Sequence, residues 1–504
     1  MARLSTIPAG RAVRRSACPC AGDGPPGQVS RGNRATPGVP PRGPRQPGRF
    51  GSAPGVVRPV APPLRGIPRL SPGPARPLSP RVVSSRAPST HPVSQTRFEV
   101  PVRTGRFWIR LVRPLLAREP TPFYLFSVVP VQEALEALEN SLTGLPVRCW
   151  FSAKTQPLPP LWRWWKDLGR PIEVVSAFEL QAALAAGFAP DRILINGPAK
   201  HHWLPRFGQR GFWVNLDSPA EAVALTPLAL RRDWQLGLRL HLPAEHGRAS
   251  SSDSSQFGMD PSAAALVLRQ LRRRGVEPVV LHFHLGTQVP SVARYARALE
   301  EAARVCRRCG WHPRYVDCGG GWPSEFTWDR TGRPMARDFS LQAMARVLAR
   351  ARSWFPRLEE YWLENGRWLT AGSGVLVVKI LDVKQRRGLR YLICDGGRTL
   401  HALVATWEQH PLLAIPTRKG RRMLTSVAGP TCMAFDQLAL GYMPIGLRPG
   451  DRLVWLGAGA YHLSWETRFS HGLAAVYWHD GREIHQVRPP ETFEDWWGRW
   501  APVP

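Results

Sequence analysis

The stretch from about residue 120 to 370 alternates short β-like runs with amphipathic helical ones, and this rhythm restricts the fold more than any other feature. TPFYLFSV precedes VQEALEALENSL, VRCWFSAK precedes LPPLWRWWKDLG, and IEVVS precedes FELQAALAAG. The pattern continues through RILING, WVNLD, LGLRLHL, VVLHFHLG and RYVDCGGG. Strands alternating with helices imply parallel strands with helical crossovers. About eight such units predict a (β/α)8, TIM-like barrel over residues 120–371, with its functional groups at the C-terminal ends of the strands. After residue 372 the texture becomes strand-rich: GVLVVKILDVK, RYLICDGG, DRLVWLGAGAY and AAVYW, separated by turn residues. That predicts an all-β domain, an antiparallel barrel or sandwich, over residues 372–504. The segment 96–119, containing FEVPVRTGRFWIRL, is expected to add a strand to this second domain.

Residues 1–95 are rich in Pro, Arg and Gly and lack apolar periodicity, so they are expected to form a disordered extension. The first hundred residues hold sixteen Arg against only Asp23 and Glu99, nearly half of the net charge of +31. Such a charge attracts polyanions. However, no basic motif interleaved with aromatics accompanies it, and only six basic residues are Lys, so nucleic acid is not the expected partner. Cys306 and Cys309 form a C-x-x-C inside a helical pattern with no second pair at zinc spacing; no metal and no disulfide framework are expected. No apolar run reaches the roughly 18–20 residues of a membrane helix. The N-terminal Arg residues have no apolar stretch behind them, so a cytoplasmic protein is expected.

Four clusters carry candidate chemistry. Lys154 ends the β-like run WFSAK, where a barrel mouth would desolvate the amine, lower its pKa and favour an imine with an aldehyde. The bland alternative is a surface lysine after a strand. Asp317-Cys318-Gly319-Gly320-Gly321 either closes backbone N–H groups around a phosphate or makes a tight turn. Glu364 and Arg367, in ENGR, suit a ring nitrogen and an anion, or simply pair with each other. Cys432, in GPTCMAFD, sits in a turn rather than in core.

Taken in order, FSAK, EVVSAFELQAALAAGF, ILINGPAK, VNLDS, SSQFG, HFHLGTQ, DCGGGWP, ENGR, CDGG, GPTC and GAY resemble the fold-type III pyridoxal-phosphate decarboxylases, the ornithine, arginine and diaminopimelate decarboxylase group. The resemblance runs from about residue 121 to 470. It implies pyridoxal 5'-phosphate as cofactor, bound covalently by Lys154, with His284 stacked on its ring. It also implies that Thr287, Gly319, Gly320, Gly321, Arg367 and Tyr461 hold the phosphate and the cofactor's edge, with Arg367 and Tyr461 also facing substrate. Glu364 would keep the ring nitrogen protonated, which favours decarboxylation over racemisation. Cys432 would act as general acid on the product, reaching the partner's site in a homodimer.

The chain departs from that pattern where the substrate's distal end is read. Met433 stands in place of a carboxylate, and Leu403 and Trp407 stand near the places of an Arg and a Tyr. Met433, Trp407 and His401 would line a less charged pocket, for an unusual or conjugated amino acid. Two other readings compete with an active decarboxylase: a racemase or epimerase on the same barrel, and an inactive paralogue that binds a partner. Glu364 and Cys432 speak against the first, and the joint presence of Lys154, His284, the glycine triplet, Glu364 and Cys432 against the second.

Overall fold

The structure is a computed structural model that describes residues 100–242, 255–325, 327–402 and 407–501; the extension expected over 1–95 lies outside them. Strand β1 (Phe123–Ser127) opens the chain's sheet structure but does not enter the barrel. The barrel is built from β2 (Val147–Cys149), β3 (Phe151–Ser152), β4 (Ile172–Val174), β5 (Ile193–Ile195), β6 (Trp213–Leu216), β7 (Gln235–Arg239), β8 (Val280–His282) and β9 (Tyr315–Asp317). After a short β10 (Trp328–Asp329), β11 (Glu360–Leu363) completes it.

Every pairing in this sheet is parallel, in the order β2-β11-β9-β8-β7-β6-β5-β4-β3. β2 and β3 are two pieces of one strand. At their junction the Trp150 N–H bonds to Leu363 O (2.8 Å) and the Phe151 N–H to Pro171 O (3.1 Å), so the chain changes partner and the ring closes to eight strand positions. Five of the helices that follow strands begin on serine caps. Ser127, Ser176, Ser218, Ser291 and Ser340 each accept a backbone N–H of the following helix, which ends the strand and starts the crossover.

Because successive strand residues point to opposite faces, residues two apart share the barrel interior. Trp150, Leu194, Trp213, Val280, Tyr315 and Trp362 pack into one apolar layer, with Trp362 4.7–5.0 Å from the rings of Trp150, Trp213 and Tyr315. Two residues further along the same strands come Ser152, Asn196, Asn215, His282, Asp317 and Glu364, all buried and all polar. The aromatic layer plugs the barrel below, and the polar layer faces its C-terminal mouth. Gly237 makes room between them: a Cβ there would lie 2.0 Å from Asn215 Oδ1.

The second sheet runs through β12 (Gly374–Arg386), β13 (Leu389–Cys394), β14 (Glu408–Gln409), β15 (Leu412–Ile415), β16 (Arg422–Ala428), β17 (Gln437–Pro444), β18 (Arg452–Leu456), β19 (Ala475–His479) and β20 (Ile484–Arg488), of which β14 instead pairs with β10. The order is β17-β16-β13-β12-β1-β19-β20, with β18 bridging β12 and β15. It is mixed rather than antiparallel: β1 lies parallel to β19, and β13 parallel to β16. So TPFYLF, expected as the first barrel strand, supplies a central strand of this sheet instead, and Phe123–Ser127 is buried at every position.

The strand expected within 96–119 is a helix, α1 (Val102–Leu116). Trp108, Leu111, Val112 and Leu115 recur at helical spacing and pack on Phe123, Leu125, Val377, Val454 and Tyr477 of the second sheet. Its association with the β domain is thus through side chains, not a ladder. Cys306 and Cys309 lie at the end of the helix Val292–Arg308, and neither forms a disulfide.

Candidate active site

Lys154 follows β3 directly, in a short helical turn. Its Nζ lies 2.7 Å from Ser152 Oγ and 2.8 Å from Glu173 Oε2. Glu173, from the centre of β4, also accepts from Ser152 Oγ (2.5 Å) and from Asn196 Nδ2 (3.2 Å). Burial alone would lower the pKa of Lys154, but the charges of Glu173 and then Glu364 outweigh it and raise the value above its ordinary 10.5. The expected lowering by desolvation is therefore reversed: in the cofactor-free protein the amine is a cation held by carboxylates.

Glu364 sits at the end of β11, 4% exposed. Its Oε1 accepts from Asn196 Nδ2 and lies 3.5 Å from His282 Nε2, and its Oε2 is 3.9 Å from His284 Nδ1. Burial first, and Glu173 next, push its pKa up to about 7. Burial and Glu364 likewise hold Asp317 well above the usual carboxylate range. Asp317 accepts from Asn215 Nδ2 (3.2 Å) and from the Gly319 N–H (2.9 Å), which ties the carboxylate ring to the glycine turn.

That turn is sterically committed. Gly319 and Gly321 have φ of +64° and +83°, and a Cβ on Gly320 or Gly321 would lie 2.2 Å from Glu364 O or 2.0 Å from Gly286 O. The Gly320 N–H donates to His284 Nδ1 (3.1 Å), which fixes the half-buried imidazole against the turn. Burial pushes His284 down to about 3, so the ring is neutral. Thr287 is exposed on the same loop.

Arg367, 6% exposed, pairs through Nη1 with Glu408 at 3.0 Å, and its guanidinium lies 4.8 Å from the Tyr461 ring centroid. The local Glu364–Arg367 pair weighed from sequence is replaced by this long-range one. Arg367 Nε has no hydrogen-bond partner among the described residues. Tyr461, with φ of +65°, donates its N–H to Thr155 O (2.7 Å), and Ser464 Oγ donates to Lys154 O (2.5 Å). The second domain thereby grips the lysine turn.

The structure brings Lys154, His284, the glycines, Glu364, Arg367 and Tyr461 to one end of the barrel. The residues expected to line a substrate pocket have different surroundings. Trp407 is half exposed and meets Trp465 edge-on at 5.1 Å, and Met433 is partly buried in the turn after β16. His401 is fully buried against His462, so it is removed from that lining. Leu403 lies outside the described residues. Cys432 is exposed.

Sequence reasoning missed Glu173, Asn196 and Ser152. The available signal was a carboxylate at the centre of an otherwise apolar strand, Ile172-Glu173-Val174, which burial permits only with partners.

Pyridoxal 5'-phosphate fits these residues. The glycine turn admits no side chain, so nothing covers its backbone, and Arg367 Nε, His282 Nδ1 and Thr155 Oγ1 are buried polar atoms without hydrogen-bond partners among the described residues. A parallel eight-stranded barrel with a lysine and buried carboxylates at its mouth, backed by a β domain, has the architecture of a pyridoxal-phosphate enzyme.

The family model for the pyridoxal-binding domain of pyridoxal-dependent decarboxylases matches residues 129–371. The diaminopimelate decarboxylase of Actinosynnema pretiosum subsp. auranticum is 30% identical over 383 residues, covering 72% of this chain and 83% of that protein. The L-glutamyl-[BtrI acyl-carrier protein] decarboxylase of Niallia circulans is 27% identical over 376 residues, covering 70% and 87%. The diaminopimelate decarboxylase structure from Helicobacter pylori superposes with a TM-score of 0.67 at 22% identity, covering 77% of this chain and 99% of that one. The chain belongs to the pyridoxal-dependent decarboxylase family. It is a pyridoxal-phosphate-dependent enzyme that decarboxylates an amino acid. Among the described residues, no helix is long and apolar enough to cross a membrane.

Proposed function

We propose that Lys154 carries the cofactor, that Glu364 holds a proton on its ring nitrogen, and that Cys432 of a partner subunit protonates the product in an obligate, cytoplasmic homodimer. The observation that carries this reading is the cluster around Lys154 Nζ, 2.8 Å from Glu173 and joined through Asn196 to Glu364. Pyridoxal 5'-phosphate, when bound, supplies the electron sink for the electron pair left when CO2 departs. The glycine turn, Thr287, Tyr461 and the free edge of Arg367 receive the phosphate. His284, neutral and braced by the Gly320 N–H, offers a flat face to the ring. Glu364 answers to the ring nitrogen and Cys432 delivers a proton to Cα. The exposure of Cys432 suits a group that works across an interface.

The substrate in this reading is an α-amino acid whose distal end carries no charge, either apolar or masked by conjugation. Met433, Trp407 and Trp465 offer no carboxylate or cation at the distal end, and Met cannot pair with a cation. The Niallia relative is named for a glutamyl group joined to a carrier protein, which supports a masked side chain. The test is CO2 release from a panel of L- and D-amino acids, diaminopimelate, ornithine and lysine among them, with γ-glutamyl amides and thioesters as masked probes. Neutral or masked substrates should exceed the dicationic and distal-carboxylate ones in kcat/KM by about tenfold or more. Faster turnover of diaminopimelate, ornithine or lysine would reject this substrate class.

A further inference from the structure

Three histidines outside the cofactor cluster meet in the interior of the second domain. His401 follows β13, His410 follows β14, and His462 follows Tyr461; all are 0–3% exposed. One ring nitrogen from each lies within 4.8 Å of the other two. His462 Nδ1 is 2.9 Å from Ala460 O, and His410 Nε2 is 2.9 Å from Glu408 Oε2. In these two rings, His462 and His410, one nitrogen thus donates to a fixed oxygen, which sets the tautomer and leaves the other nitrogen as a lone pair. His462 Nε2 is hydrogen-bonded to His401 Nδ1, while His410 Nδ1 and His401 Nε2 are buried with no hydrogen-bond partner among the described residues.

Buried imidazole nitrogens without partners cost free energy unless something binds them. A carbonyl or carboxylate on the far nitrogen is the outer-shell arrangement that orients a metal-bound histidine. We propose that His401, His410 and His462 bind a zinc ion, with Glu408 and the Ala460 carbonyl as the oxygens that orient two of the rings. Imidazole suits zinc, which holds its nitrogens at about 2.0–2.1 Å; to bind it, His462 and His401 give up the hydrogen bond between them, and a water takes the fourth position.

The ion has a structural task that the positions of its ligands define. His462 adjoins Tyr461, and Glu408 holds both His410 and Arg367. Metal binding therefore ties the stretch after β13 to the turn that grips Lys154, and fixes Arg367 through Glu408. The site is distinct from the lysine cluster and takes no part in the chemical step.

The experiment is metal analysis of the full chain, purified as holoenzyme without chelator and desalted into metal-free buffer. About one zinc per chain is expected. A His401→Ala/His410→Ala double variant should lose it while keeping the visible absorbance of bound cofactor. Wild-type protein that retains no more zinc than the double variant, after exposure to excess zinc and desalting, overturns the proposal. Should the variant fail to fold, wild-type protein stripped by chelator decides. Re-added zinc should raise Tm, and cobalt(II) should give the visible bands of a tetrahedral site. The absence of both responses overturns the proposal equally.

Discussion

Glu364 is a carboxylate that its surroundings make reluctant to ionise: burial and Glu173 push its pKa up to about 7 from an ordinary 4.5. A folded-state pKa above the unfolded one means that the folded protein binds the extra proton between those values. Stability is therefore greatest below pH 4.5 for this group and is lost as pH rises toward 7. In Glu364→Gln the proton-bound form is mimicked at every pH. The Tm of the cofactor-free variant should match wild type near pH 4.5, pull ahead as pH rises, and level off above 7. The full gap corresponds to something on the order of 3 kcal/mol. A gap that does not vary with pH would show that Glu364 is ionised throughout. The same substitution should weaken catalysis in the holoenzyme, because an amide cannot hold the ring's proton as a carboxylate does. Lys154 teaches the converse lesson. Its place at a strand end was legible from sequence, but its charge state was not, because the deciding partner, Glu173, sits on a different strand 19 residues away.

At the scale of elements, the alternation of strand and helix was legible because each βα unit repeats the same pattern. An apolar run ends in a polar residue, and in most units a serine then caps the helix. The polar residues that follow Trp362, Tyr315 and Trp213 by two positions could be found by period-two reading, though Glu364 and Asp317 stood out instead through the motifs ENGR and DCGGG. The assignment of β1 to the second sheet was not legible, since FYLFS is apolar enough for either sheet and its neighbours, β12 and β19, come from the far end of the chain. α1 was misread for a local reason: FEVPV alternates as a strand does, but Pro101 ends that run, and the helical spacing of Trp108, Leu111, Val112 and Leu115 starts after it. Trp108 is 1% exposed between this helix and the sheet. Trp108→Ala should cost about 3–5 kcal/mol in denaturant unfolding while leaving cofactor retention intact. A loss below about 1 kcal/mol would mean that α1 does not belong to the core of the β domain.

For the whole molecule, the proposed active site draws Lys154 from one subunit and Cys432 from another, as the family resemblance implied; the exposed turn that carries the thiol suits the crossing. Lys154→Ala and Cys432→Ala should each be inactive in amine formation. Co-expressed in equal amounts, they should recover about a quarter of wild-type activity, because half of the dimers are mixed and each mixed dimer holds one intact site. No recovery would place the two residues in the same subunit's site or remove Cys432 from the reaction. The pairing of a barrel with a β-rich part was legible because the strand–helix rhythm gives way to strands along the chain, whereas the histidine cluster was not: residues 401, 410 and 462 share no metal-ligand spacing and meet only through the sheet. The account rests on the attachment of the cofactor to one amine. Borohydride reduction of the purified protein, followed by digestion and peptide mass spectrometry, tests that directly. The account predicts a phosphopyridoxyl mass on the peptide containing Lys154 and on no other lysine. The same mass on Lys200 or elsewhere, or its absence from a yellow protein, would contradict it.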